Sequence, residues 1–258
     1  MGVIKINTFD LNSYVQSKNI YITNKRMNIE KENIEEIYKQ IDNIIFFQRI
    51  FGKYEVNLFP RIRCTIGKEI DNFYGQTLLI KKYLNRINDK ESLKELDRYL
   101  LENGNGLIEK VNNSLKHIEN NNYRNLIKRS MNNYEVCLGR TDEGNLTVSE
   151  DGKINIGTIK YLNYNLKEVD IYIYIKKIKR KNILINIEEV IDYYILKEDL
   201  GENSREYLKA LISIPNEELK ILERIILGKM KVSEEEFLKE INRVKKMDSK
   251  NLIDYRGI

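Results

Sequence analysis

The feature that most constrains the fold is a change of hydrophobic period in the middle of the chain. On both sides of residues 134–164, apolar residues recur at three- and four-residue spacing, whereas inside that stretch they form short β-branched or aromatic runs. The first spacing is typical of amphipathic helices that face a core, and the second of short strands. The 258 residues contain only two prolines, so little interrupts the helices. The sequence therefore predicts a mainly helical α+β protein with a small sheet and no alternating βαβ units.

Helical segments are predicted along most of the chain. The clearest pattern is KENIEEIYKQIDNIIFFQRIF, residues 31–51, and the others lie over 70–87, 91–102, 106–118 and 122–132, with four more between Tyr164 and about residue 245. Gly104 is predicted to end the third helix, because glycine is the usual residue just past a helix C-terminus. Ser204, Pro215 and Ser233 are predicted to mark later helix starts, and Ser233 opens an S-x-x-E capping box.

Strands are predicted over 134–138, 145–149 and 153–162, and extended pieces over 3–6 and 19–23. The second and third strands are joined through Asp151-Gly152, a strong signal for a β-hairpin. The two extended pieces near the N-terminus are too short to form an independent domain.

Composition narrows the class of protein. Hydrophobic residues make up 41% of the chain and charged residues 32%, as in a water-soluble globular protein. The net charge is +5, and the Lys and Arg residues are interspersed with Asp and Glu except in the run KKIKRK, Lys176–Lys181. That run follows the apolar stretch IYIYI, so we interpret it as the solvated basic tip of a helix rather than a nucleic-acid site.

Metal and disulfide chemistry are not expected. Cys64 and Cys137 are far apart in the sequence, and the single histidine, His117, lies among charged residues and is expected to be exposed. The N-terminal residues lack a signal-peptide pattern, and no stretch is apolar enough to span a membrane. We expect an intracellular protein that is not secreted, with no membrane or metal partner.

The stretch VCLGRTDEGNLTV, residues 136–148, combines a strand end, a polar loop and the start of a hairpin. It is similar to the loop C-H-G-D-x-x-x-x-N of the aminoglycoside phosphotransferase/choline kinase superfamily, with Arg140 at the aspartate and Asn145 at the asparagine. Gly157-Thr158-Ile159 stands where the family has I-D-F, eighteen residues after Arg140 for its middle residue.

Two later stretches indicate the spore-coat kinase-like branch of that superfamily. Residues 160–171, KYLNYNLKEVDI, resemble its D-Y-x-x-Y-D-L-R-x-x-D-L, which places Asp170 at the last aspartate. The stretch from Tyr207 to Ile241 resembles its closing Y-L-x-F-P-x-x-x-W-K…G-K…W-x-E-x-x-F. From about residue 30 to 245, the chain thus resembles the C-terminal lobe of a protein-kinase-like fold.

The resemblance implies a degenerate site. Arg140 replaces the catalytic aspartate and Thr158 the metal-binding aspartate, so these positions, with Asn145 and Asp170, are vestigial and no catalytic, cofactor-binding or metal-binding residue is assigned. Asn145 is interpreted as satisfying backbone groups, with a remnant metal ligand as the alternative. Asp170 is expected to anchor the neighbouring loop.

Other charged loop residues leave alternatives open. Asp142 and Glu143 are expected to be solvated, with a substitute catalytic base as the alternative. Arg140 is expected to pair with Asp142, Glu143 or Asp170, or to bind an anion.

The nucleotide-covering lobe of the family has no counterpart in the sequence. Before residue 60 the only glycines are Gly2 and Gly52, so no Gly-rich phosphate loop is present. The resemblance therefore implies a vestigial N-terminal segment over 1–28 and a kinase-like C-lobe over 29–258, with the vacated cleft filled by side chains.

Three functional hypotheses follow. The first is a non-catalytic pseudokinase-like scaffold, associated with sporulation or the spore coat, that binds a protein partner without a cofactor and resides in the cytoplasm or spore coat. The second is a divergent ATP-dependent phosphotransferase that needs a partner or an unrecognised base. The third is a basic adaptor that binds an anionic partner through Lys176–Lys181.

Overall fold

Most of the helices form where the apolar spacing predicts them. The computed structural model describes residues 11–26, 33–52, 62–88, 91–248 and 251–253. The helices in these residues are α1 (Leu11–Ser17), α2 (Ile34–Phe51), α3 (Lys68–Ile87), α4 (Glu95–Asn120), α5 (Tyr123–Asn133), α6 (Glu168–Arg180), α7 (Ile187–Lys197), α8 (Glu202–Ser213), α9 (Asn216–Ile226) and α10 (Glu234–Met247). Not one of the helices described is both long and apolar enough to cross a bilayer.

The strands are short and lie in two three-stranded sheets. They are β1 (Ile20–Ile22), β2 (Arg63–Cys64), β3 (Val136–Cys137), β4 (Leu146–Val148), β5 (Ile154–Ile156) and β6 (Asn163–Tyr164). The order is β1-β5-β4 in one sheet and β2-β6-β3 in the other. The predicted mainly helical α+β class with a small sheet component is confirmed.

The predicted hairpin is present. β4 and β5 pair antiparallel, with Leu146 opposite Ile156 and Val148 opposite Ile154. Gly152 in the connecting turn has φ +75°, a conformation that glycine adopts without a Cβ penalty. The predicted strand over 153–162 is too long, since β5 ends at Ile156 and the chain turns before β6.

The described chain divides into two units, each with its own core. The first unit takes in the described parts of Met1–Ile66, Asn125–Lys177 and Leu196–Asp199, and the second those of Gly67–Arg124, Ile178–Ile195 and Leu200–Ile258. The predicted domain boundary at residue 28 falls among residues outside the described ranges and stays a prediction, as does the extended piece over 3–6.

The core of the first unit includes part of the N-terminal segment. Tyr14 of α1 is buried and its ring meets that of Phe51 at 5.6 Å, edge to face. β1 confirms the centre of the extended piece predicted over 19–23, and it pairs parallel with β5, Ile20 opposite Ile154. Helix α1 was not predicted, because a seven-residue helix has too few turns to show a period.

Helix α2 carries the buried face that packs on this core. Its start is fixed by a capping box: Glu36 N donates to Asn33 Oδ1 at 2.9 Å and Asn33 N donates to Glu36 Oε2 at 3.3 Å. The isoleucines that predicted the helix, Ile37, Ile41 and Ile44, are fully buried.

The predicted helix end at Gly104 is wrong. The segments predicted over 91–102 and 106–118 are one helix, α4, that runs through both Gly104 and Gly106. Gly104 is buried against α3, where an added Cβ would lie 3.1 Å from Leu84 Cδ1. The glycine therefore permits close packing of two helices instead of ending one.

Three further details of the helices after β6 differ from or match the predictions. Five helices, α6 to α10, lie in the described residues after Tyr164, where four were expected. The predicted start at Ser204 is wrong, because α8 begins at Glu202 and Ser204 is buried in its first turn. The starts at Pro215 and Ser233 are confirmed, the latter with its capping box.

His117 is half-buried, which corrects the expectation that it is exposed. Its Nε2 lies 2.6 Å from Glu206 Oε2, so it links α4 to α8. The charged neighbours in the sequence lie on other faces of α4, and helical spacing brings His117 to the face that packs on α8.

The two glycines of α4 give a matched test of this packing. Gly104→Leu should destabilise the protein by about 1–3 kcal/mol, because the new side chain overpacks against Leu84. Gly106→Ala should stabilise it by up to about 1 kcal/mol, because Gly106 is exposed and an added Cβ meets nothing within 4 Å. Urea unfolding of both variants measures the difference. Equal changes would show that Gly104 has no packing role.

Candidate active-site loop

The polar loop between β3 and β4 is shaped by a glycine in the left-handed region. Gly139 has φ +71°, and an added Cβ would lie 2.6 Å from the carbonyl oxygen of Tyr161. Only glycine fits this position without displacing backbone. The chain can therefore leave the buried strand at Cys137 and turn sharply beside β6.

Asp170, in the first turn of α6, holds the beginning of the loop. Its Oδ2 accepts a hydrogen bond from Leu138 N at 2.8 Å and its Oδ1 from Gly139 N at 2.9 Å. Thr141 Oγ1 donates to the carbonyl oxygen of Asp170 at 3.1 Å. The carboxylate is fully buried, so these charge-assisted bonds offset the cost of removing it from water.

Asn145 ties the end of the loop to the chain after β5. Its Nδ2 donates to the carbonyl oxygen of Arg140 at 2.8 Å and to that of Thr158 at 3.3 Å. Its Oδ1 accepts from Thr158 N at 2.8 Å, and Gly157 N donates to the Asn145 carbonyl oxygen at 2.9 Å. Both ends of this buried amide are therefore engaged with the main chain.

Gln40 was missed by the sequence reasoning, yet it connects α2 to this loop. Its Nε2 donates to the carbonyl oxygens of Thr141 at 2.8 Å and Leu146 at 3.1 Å, and its side chain is buried. The available signal was a glutamine placed among the apolar residues of an amphipathic helix face. A buried amide there needs polar partners from another element.

Residues 23–26 lie directly against the loop, which the sequence did not indicate. Thr23 N donates to the carbonyl oxygen of Ile156 at 2.8 Å. An added Cβ at Gly157 would lie 2.7 Å from the carbonyl oxygen of Lys25, and one at Gly144 would lie 2.8 Å from Arg26 Nε. These two glycines therefore allow the N-terminal segment to approach the backbone beside Asn145 and Thr158.

Arg140 makes one of the pairings expected for it. Its Nε donates to Asp142 Oδ2 at 3.2 Å. At the other substituted position, Thr158 Oγ1 accepts from Lys160 N at 3.2 Å in a local turn. Neither position therefore places a carboxylate beside Asn145.

Asp142 and Glu143 are not solvated, which corrects that expectation. Glu143 accepts a hydrogen bond from Tyr174 OH at 2.6 Å and another from the ammonium of Lys177, whose Nζ also lies 3.7 Å from Asp142 Oδ1. Burial, followed by the bond to Glu143, raises the pKa of Tyr174 above its ordinary value. Tyr174 and Lys177 share a face of α6, and that face meets the loop.

The basic run 176–181 is accordingly not a simple solvated tip. Lys176 Nζ lies 4.0 Å from the centre of the Tyr172 ring, and Lys177 is half-buried against Glu143. Arg180 and Lys181 are exposed. The interpretation of the run as the end of a helix is confirmed, since α6 ends at Arg180, but solvation applies only to its last residues.

A cleft of about 600 Å³ lies elsewhere in the first unit. It is lined by apolar groups such as Phe46 and Val136 and by the ion pairs of Glu198, whose carboxylate accepts from Arg49 Nε at 2.7 Å and Lys167 Nζ at 2.6 Å. The charges on this wall are thus paired with one another. The expectation that the nucleotide cleft is filled stays a prediction.

The described residues contain no group of three or more His, Cys, Asp or Glu side chains arranged to hold a metal ion. Cys137 is buried and its Sγ donates to the carbonyl oxygen of Leu166 at 3.1 Å, so it is a packing residue.

Comparison with known proteins places the fold beside that of a solved phosphotransferase structure. No protein-family model matches the sequence, and no curated protein matches it. An aminoglycoside phosphotransferase from Alicyclobacillus acidocaldarius subsp. acidocaldarius DSM 446 has a similar structure, with a TM-score of 0.64 over 89% of this chain and 67% of its own. Sequence identity is 11%, a level at which the likeness shows the fold alone. The predicted kinase-like phosphotransferase fold is supported at this level.

The roles of Asp170 and Asn145 predict a graded loss of stability. Asp170→Ala should cost the most free energy of unfolding, about 2–5 kcal/mol, because two backbone N–H groups lose a charged acceptor in a buried site. Asn145→Ala should cost about 1–3 kcal/mol through its lost bonds to Arg140 and Thr158. Denaturant unfolding measures both.

Asn242→Ala provides the control for these variants. Asn242 lies on the exposed face of α10, and its replacement should change the free energy of unfolding by less than about 0.5 kcal/mol. If Asn145→Ala proves as harmless as Asn242→Ala, the loop does not depend on the asparagine.

Proposed function

We propose that this chain is a non-catalytic, kinase-like protein that acts as a scaffold for a protein partner in sporulation or the spore coat. The observation that carries the proposal is the state of Asn145. Both ends of its amide are hydrogen-bonded to the main chain at Arg140 and Thr158, the two positions where the resemblance expects catalytic and metal-binding aspartates.

Phosphoryl transfer relies on positioning and on charge stabilisation by metal ions, which carboxylate and amide side chains hold in place. Arg140 offers a guanidinium, which donates hydrogen bonds but accepts no proton. Thr158 offers a hydroxyl already engaged in its own turn. The side-chain oxygen of Asn145 accepts from Thr158 N, so binding a metal would mean breaking this loop contact.

The nearest carboxylates serve the loop itself. Asp142 accepts from Gly144 N at 3.1 Å and pairs with Arg140, and Glu143 is bound by Tyr174 and Lys177. A substitute base would have to leave these partners to reach a substrate hydroxyl. This supports the scaffold over the divergent phosphotransferase.

The sporulation setting rests on the resemblance of residues 160–171 and 207–241 to the spore-coat kinase-like branch. The fold shared with an aminoglycoside phosphotransferase agrees with the wider superfamily. A retained fold without a working site is suited to presenting a surface to other proteins. We therefore propose a protein partner, no nucleotide or metal cofactor, and residence in the cytoplasm or spore coat.

The purified protein should not consume ATP. Incubated with ATP and Mg²⁺, with and without an aminoglycoside, it should release ADP at the rate of a buffer blank, and Asn145→Ala should behave identically. ADP release that is present in the wild type and absent in a folded Asn145→Ala variant would contradict the proposal and favour the divergent phosphotransferase.

A fluorescent fusion of the chain in sporulating cells tests the setting separately. The proposal expects fluorescence to concentrate around the forming spore. A signal that stays uniform throughout sporulation would overturn the coat assignment while leaving the absence of catalysis to the ATP assay.

A further inference from the structure

Two arginines flank a single carboxylate on the exposed side of the loop. Arg140 Nε lies 3.2 Å from Asp142 Oδ2, and Arg26 Nη2 lies 4.0 Å from Asp142 Oδ1. The side chains of Arg26 and Arg140 are 64% and 37% exposed, whereas that of Asp142 is 14% exposed. The guanidinium groups are thus accessible from solvent while the carboxylate between them lies deeper.

Asp142 is needed for more than these ion pairs. Its Oδ1 accepts from Gly144 N at 3.1 Å, and its carbonyl oxygen accepts from Asn145 N at 2.7 Å and Leu146 N at 2.9 Å. Its Oδ1 also lies 3.7 Å from Lys177 Nζ. A carboxylate divided among a turn and three cations neutralises two arginines incompletely.

Arg26 packs over the loop backbone at Gly144. An added Cβ at Gly144 would lie 2.8 Å from Arg26 Nε and 3.2 Å from Arg26 Cγ, so the arginine stem runs over the glycine at contact distance. The other nearby acids have their own partners: Glu143 is bound by Tyr174 and Lys177, and Glu36, which faces Tyr174, caps α2. The two arginines therefore converge on one spot without a second carboxylate between them in the described residues.

We propose that Arg26 and Arg140 form a binding site for a phosphate monoester on the surface of a protein partner, with Asp142 as the resident competitor. A guanidinium group forms bidentate hydrogen bonds with phosphate oxygens. A phosphoseryl group carries a charge of about −1.5 to −2, which is more negative than that of the carboxylate it displaces. The open position suits a group presented by a macromolecule, since small ligands bind in concave pockets that bury most of their surface.

Phosphate binding at this site requires no catalysis, and the proposal rests on the proposed function only in taking the partner to be a protein. Its test uses a short, fluorescently labelled peptide with one phosphoserine among neutral residues, measured by anisotropy against the full chain. Saturable binding is expected that weakens as salt is added and is competed by inorganic phosphate. The unphosphorylated peptide should bind at least about tenfold more weakly.

Variants assign that binding to the two arginines. Arg26→Gln combined with Arg140→Gln should weaken phosphopeptide binding at least about tenfold, whereas Arg243→Gln should leave it unchanged. Arg243 is a matched control because it is exposed on α10 and pairs with Glu240. Asp142→Asn should tighten binding about threefold by removing the competitor, a change that misfolding could not produce.

Three results would overturn the proposal: absence of saturable binding, equal loss in Arg243→Gln, or weaker binding in Asp142→Asn. Binding of Mg²⁺ and ATP in a parallel titration would instead contradict the proposed function, so the two failures are distinguishable. Phosphopeptide binding that the arginine pair controls, with no response to nucleotide, supports both.

Discussion

The loop between β3 and β4 depends on one buried carboxylate. Asp170 accepts hydrogen bonds from the main-chain N–H groups of Leu138 and Gly139 and thereby fixes where the loop begins relative to α6. Because the carboxylate is buried, its bonds resist competition from water, and losing them would leave two donors unsatisfied. The left-handed turn at Gly139 and the positions of Tyr174 and Lys177 beside the loop follow from this anchor.

A second consequence is that the loop is closed by its own chain. The Asn145 side chain joins Arg140 to Thr158. The Gln40 side chain joins Thr141 and Leu146 to α2. Residues 23–26 pass against Gly144 and Gly157. These contacts engage the side-chain amides of Asn145 and Gln40 within the chain itself. The fold is similar to that of an aminoglycoside phosphotransferase, yet the local chemistry favours a structural loop with a basic outer edge.

Much of the fold could be predicted because it depends on local patterns. The period of α2, the hairpin turn at Gly152 and the capping box at Ser233 are all written in neighbouring residues. The errors arose where tertiary contacts decide. A glycine such as Gly104 is typical of a helix end, but here it lies inside α4 because its missing side chain lets the helix pack on Leu84. His117 has charged neighbours in the sequence, but its ring meets Glu206 on α8. A single sequence also gives no signal for contacts between residues about thirty or more positions apart. Examples are the contacts of Asp142 and Glu143 with α6, and that of Arg26 with Gly144.

The claim that Asn145 closes the loop and serves no metal is tested most directly by calorimetric titration. The protein is titrated with ATP and with ADP, each with and without Mg²⁺. If Asn145 only closes the loop, neither nucleotide should produce heat of binding or raise the melting temperature at millimolar concentration, since no ligand binds the native state. Magnesium-dependent binding that a folded Asn145→Ala variant loses would contradict the account, because it would show that the asparagine still serves a metal.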